Sequence, residues 1–150
     1  MAGTFATDAS MRGLLWGLDG VMLVLAAVLL AVHHFRQGND VVAGGFFVFA
    51  IGQALVLSSA AMPLDSTGPL FGSGVSLWAV GLYLMSEPRV APTWVRITGV
   101  IAGTLFLIVG VRLFMGAALT PLTQPLPSLA YPFLVVTLFG WAWKRYRTHL

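Results

Sequence analysis

Apolar residues in this chain come in long unbroken blocks, not at the alternating spacing of a strand or on one face of a helix. Five blocks, at 14–32, 41–62, 70–86, 97–119 and 126–143, contain between them only Asp19 and Arg112 as charged residues. A helix that is apolar all round has no face for water and belongs in lipid or in a large core. A bilayer core of about 30 Å is crossed by roughly 20 such residues. The blocks therefore predict an all-α fold, a polytopic transmembrane helix bundle of five spans at about 14–32, 41–62, 70–86, 97–119 and 127–144, forming a single domain over 1–150.

The breaks carry turn chemistry. Residues 33–40 end in Asn39-Asp40, a pair suited to capping the second helix. Pro63 and Pro69 bracket a loop, Glu87-Pro88-Arg89 ends the third span, and Pro92-Thr93 opens the fourth. The last break is uncharged, and only Pro121, Pro125 and Pro127 divide it from its neighbours. Each proline removes a backbone donor that lipid cannot replace, so one continuous helix through them is unfavourable. Four spans with a re-entrant or surface-lying segment is the alternative reading of this region.

Composition sharpens the class. With 58% hydrophobic and 9% charged residues, the chain falls far below the roughly 25% charge of a soluble domain. The net charge of +3 is too dispersed to form a basic patch, which argues against a nucleic-acid partner. The absence of cysteine excludes disulfides, thiolate metal sites and cysteine nucleophiles. Orientation follows from the basic residues. With five spans, Arg36, Arg89, Arg96, Lys144, Arg145 and Arg147 fall on one side and Arg12 on the other. This bias predicts an external N-terminus, a cytoplasmic C-terminus and residence in the cell membrane. Trp94, Trp141, Trp143 and Tyr146 then lie at the cytoplasmic interface and Trp16 near the outer one. The first span is read as a retained helix, because its apolar run is long and interrupted by Asp19.

Small residues recur at helical spacing: Gly13 and Gly17; Gly45, Gly52 and Ser59; Gly74 and Gly81; Gly99, Gly103 and Gly110. Such faces let helix backbones approach closely in lipid. They suit packing within the bundle, and Gly99, Gly103 and Gly110 also suit a homo-oligomer or another membrane subunit.

Polar residues inside spans mark the candidate site. Asp19 and Arg112 fall at matching depths, about 10–12 Å below the outer boundary at 1.5 Å per residue. They read either as a buried ion pair that fixes register or as a gated pair or ligand site. Gln53 sits at similar depth, and Ser76 and Tyr83, seven apart, share a face of the third span. With Ser58 and Ser59, which lie above Gln53, these three could line a polar cavity open to the outer side, or form interhelical hydrogen bonds. His33 and His34 have no histidine partner on another span, so haem and metal are not expected, and no cofactor is implied. No nucleophile with its base and no carboxylate pair occurs. The expectation is a small non-enzymatic membrane protein, either an accessory or assembly subunit of a membrane complex or a binder of a lipid-like ligand. The alternative is a small-solute or proton transporter or channel that uses the Asp, Arg and Gln cluster.

Overall fold

The computed structural model describes residues 9–60, 62, 64–87, 90–117 and 125–147. Five helices follow in order: α1 (Ala9–Arg36), α2 (Asp40–Ser59), α3 (Leu64–Ser86), α4 (Thr93–Phe114) and α5 (Pro125–Arg147). No strand occurs among the described residues. Four stretches are long and apolar enough to cross a membrane, Gly17–Arg36, Asp40–Ser59, Ser66–Ser86 and Thr93–Phe114. The apolar part of α5 is shorter, Leu129–Lys144.

Helix ends depart from the apolar blocks for local reasons. At α1 the helix continues through His33 and His34, then stops where Gly38 takes φ 72°. There the N–H of Asn39 donates to His34 O at 3.0 Å and that of Gly38 to Phe35 O at 3.0 Å. At α4 the same device acts earlier than the apolar run suggests. Gly116 has φ 87°, Ala117 N–H donates to Arg112 O at 3.0 Å and Gly116 N–H to Leu113 O at 3.1 Å. Both are Schellman ends, in which a glycine in the left-handed region lets the last carbonyls find donors. Met115, Gly116 and Ala117 therefore do not extend α4, although Met115 and Ala117 are apolar. Asn39 does stand at the N-cap of α2, but its side chain makes no cap hydrogen bond, contrary to expectation.

The segment expected as a loop around Pro69 is instead the first turns of α3. Its Thr67 hydroxyl donates to Ser59 O at 3.0 Å, satisfying a carbonyl left over at the end of α2. In α5, Pro125 and Pro127 occupy the first turn, where backbone N–H groups have no helical partner to lose. Pro132 lies further in, so one internal hydrogen bond is absent there.

The helices pack in chain order, each against the next. The α2–α3 seam is glycine against glycine, with Gly45 facing Gly81 and Gly52 facing Gly74. On α4, Gly99, Gly103 and Gly110 are buried against Ser86, Tyr83 and Ser76 of α3, so this face is covered within the chain. The α4–α5 seam carries a hydrogen bond from Thr137 to Thr98 at 2.9 Å. Aromatic rings fill the centre. Trp78 stacks on Phe49 (centroids 5.6 Å) and meets Phe106 edge-on at 5.0 Å and Tyr131 at 6.2 Å. These rings tie α5 to α3 as well as to α4.

Candidate functional site: a cavity between α1, α2 and α5

Ridges of large side chains cannot close every gap once glycine seams draw α2, α3 and α4 together. A cavity of about 340 Å³ remains where α1, α2 and α5 surround the indole of Trp78. Its walls are mostly aliphatic: Leu23 from α1, Val56 and Leu57 from α2, and Leu134, Val135 and Leu138 from α5. Asp19, Gln53, Trp78 and Tyr131 contribute the polar atoms. At the end of the bundle that holds Arg36 and Lys144, the cluster of His34, Phe46 and Trp141 brings α1, α2 and α5 together.

Two polar atoms at this cavity are buried without partners. Gln53 is 6% exposed and Trp78 is 2% exposed. Neither the Gln53 amide oxygen Oε1 nor the Trp78 indole Nε1 has a hydrogen-bond partner. Leaving a buried acceptor or donor unsatisfied costs roughly 1–3 kcal/mol. The two sit on adjoining elements. A methyl placed on Gly52 would stand 2.9 Å from Trp78 Cδ1, so the indole edge lies against α2 one residue before Gln53. One atom is an acceptor and the other a donor, and their residues both line the cavity.

The structure divides the residues expected to share one site. Asp19 and Gln53 both line this cavity. Ser76 and Tyr83 do not; they lie in the α3–α4 seam. The Ser76 hydroxyl donates back to Gly72 O at 2.7 Å, and Tyr83 Oη pairs with Thr104 Oγ1 at 3.0 Å. Arg112 is exposed in the last turn of α4, and α1 makes no close backbone approach to α4. The expected depth match with Asp19 relied on a helix running to residue 119, and Gly116 ends it before that.

Trp78 and Tyr131 do not stand out among the polar residues of the sequence. Trp78 falls at mid-helix and Tyr131 in the second turn of α5, and a tryptophan at mid-span is the signal that could have found the cavity. His34 is 4% exposed, stacked on Phe46 at 5.7 Å and edge-on to Trp141 at 5.1 Å, so it is part of the packed core. Among the described residues, no three His, Asp or Glu side chains gather as a metal site. No protein-family model, curated protein or solved structure matches this chain.

Proposed function

We propose that this chain is a non-enzymatic integral membrane protein that binds a lipid-like molecule carrying a hydroxyl group in the cavity between α1, α2 and α5. The observation that carries this reading is the pair of unpartnered buried atoms, Gln53 Oε1 and Trp78 Nε1. A hydroxyl is both donor and acceptor: it can donate to the amide oxygen and accept from the indole N–H. A ketone or ester would serve only Trp78, and an ammonium only Gln53. The aliphatic walls suit the hydrocarbon of such a ligand, in the manner of sites that orient an apolar body with a few placed polar groups. A conduction path is less well supported, because Ser76, Tyr83 and Arg112 lie away from Asp19 and Gln53. In this reading all five helices cross the cell membrane, and the end bearing Arg36, Arg96 and Lys144 faces the cytoplasm.

Native mass spectrometry in mild detergent tests it, with farnesol and farnesyl methyl ether as probes. The wild type should retain farnesol in preference to the ether, and Gln53→Leu with Trp78→Phe should abolish that preference. Equal retention of alcohol and ether by the wild type, or no retention of either, overturns the reading.

A further inference from the structure

A second site stands at the opposite side of the bundle, where α3 ends and α4 begins. Arg96 donates from Nε to Ser86 O at 2.7 Å and from Nη2 to Glu87 O at 3.0 Å. These bonds satisfy two of the carbonyls left over at the end of α3 and fix the plane of the guanidinium. A guanidinium has five N–H donors in a rigid fork. Two are spent on α3, so three remain on Nη1 and Nη2.

Those donors border a groove of about 310 Å³ lined by Ser86, Thr93, Arg96, Ile97, Val100 and Ile101. Two further features suit a lipid with an anionic headgroup. Thr93 is the first residue of α4, and the first turn of that helix holds no acidic side chain. Its positive dipole end is therefore not offset from within the helix. The remaining wall is aliphatic and open to lipid, with Ile97, Val100 and Ile101 all exposed. A fixed cation and a helix start thus stand above an apolar trough.

We infer that this groove binds one anionic phospholipid, with its phosphate on Arg96 and Thr93 and an acyl chain along Ile97, Val100 and Ile101. A phosphate diester presents two charged oxygens to the fork of Arg96 and matches guanidinium geometry. Its chain enters from the bilayer rather than from water. The site is separate from the cavity proposed to hold the hydroxyl-bearing ligand, and neither proposal depends on the other.

The test uses the full chain in mild detergent, titrated with phosphatidylglycerol or phosphatidylcholine and read as bound mass. One phosphatidylglycerol should be retained in preference to phosphatidylcholine. Arg96→Gln should weaken that retention about tenfold, the loss of one charge-assisted contact. Thr93→Val should reduce it by a smaller factor. Val100→Trp fills the trough without touching the cation and should also lower retention, which covers the case in which Arg96→Gln does not fold. Inorganic phosphate at millimolar concentration should not displace the lipid. Displacement by phosphate would assign the site to a free anion and overturn the lipid assignment. Equal retention of the two lipids, or unchanged selectivity in both Arg96→Gln and Val100→Trp, would overturn the site itself.

Discussion

Gly52 of α2 and Gly74 of α3 face each other so closely that a methyl on either would stand under 3 Å from the other's carbonyl oxygen, at 2.7 Å for a methyl on Gly52 and 2.9 Å for one on Gly74. One heptad away the relation repeats between Gly45 and Gly81, at 2.9 and 2.7 Å. The two helices are antiparallel, so a seven-residue step along one meets a seven-residue step along the other. In lipid no hydrophobic drive holds helices together, and close backbone approach supplies the contact energy. The seam also holds Trp78 against α2, because its indole occupies the space beside Gly52.

Substitution at this seam should therefore be costly and specific. Gly52→Ala and Gly74→Ala should each lower stability in detergent by roughly 1–3 kcal/mol, the usual cost of overpacking. Gly17→Ala is the control, since a methyl there meets nothing within 4 Å. It should be neutral or stabilising by about 0.5–1 kcal/mol, because alanine is the better helix former. Thermal unfolding followed by circular dichroism would read all three. Equal losses at positions 17 and 52 would count against the seam.

Asp19 and Arg112 should act independently. Arg112 is in the last turn of α4, where a cation is favoured by the helix dipole, and Asp19 lines the cavity. A double-mutant cycle with Asp19→Asn and Arg112→Gln should be additive within about 0.5 kcal/mol. A coupling energy above about 1 kcal/mol would show that the two side chains meet.

The helices were legible in the sequence because the bilayer demands length and apolarity, and both can be read by counting. The glycine faces were legible for a similar reason: Gly45, Gly52, Gly74 and Gly81 keep a period that a helix must present on one side. The site was not legible in the same way. Which face of α3 meets α2 and which meets α4 is settled by packing, and Ser76 and Tyr83 went to the α4 side while Trp78 went to the cavity. The end of α4 could have been read from Gly116, since glycine after an arginine-bearing last turn is a common stop signal. The apolar residues beyond it masked that signal.

The hydrogen bond from Thr137 to Thr98 joins α5 to α4 near the basic end of the bundle. The Thr137 hydroxyl also reaches Phe133 O at 2.7 Å, and the residue is fully buried. Interhelical hydrogen bonds in membranes average about 0.6 kcal/mol. Thr137→Val keeps the shape and should cost about that much, whereas Thr137→Ala adds a cavity and should cost more. A valine variant as destabilised as the alanine variant would mean that the hydroxyl, rather than packing, dominates at this position.

The bundle should sit with its basic end in the cytoplasm. Glu87 lies just past the end of α3, and Met115 just past the end of α4, so the two mark opposite ends of the bundle. Both are exposed, and the chain has no native cysteine to confuse labelling. The end near Glu87 also carries Arg36, Arg96 and Lys144, and basic residues are retained on the cytoplasmic side of short loops. Glu87→Cys should therefore resist an impermeant maleimide in intact cells and react once the cells are opened, while Met115→Cys should react in both. Removing basic residues tests the cause. Arg36→Gln combined with Lys144→Gln weakens the bias at the ends of two helices at once, and should produce a minor population in which the thiol introduced by Glu87→Cys becomes reachable from outside. Labelling of Glu87→Cys in intact cells of the otherwise unaltered protein would reverse the orientation. It would also place the groove at Arg96 in the outer leaflet. Labelling of both positions from the same side would mean that α4 does not cross.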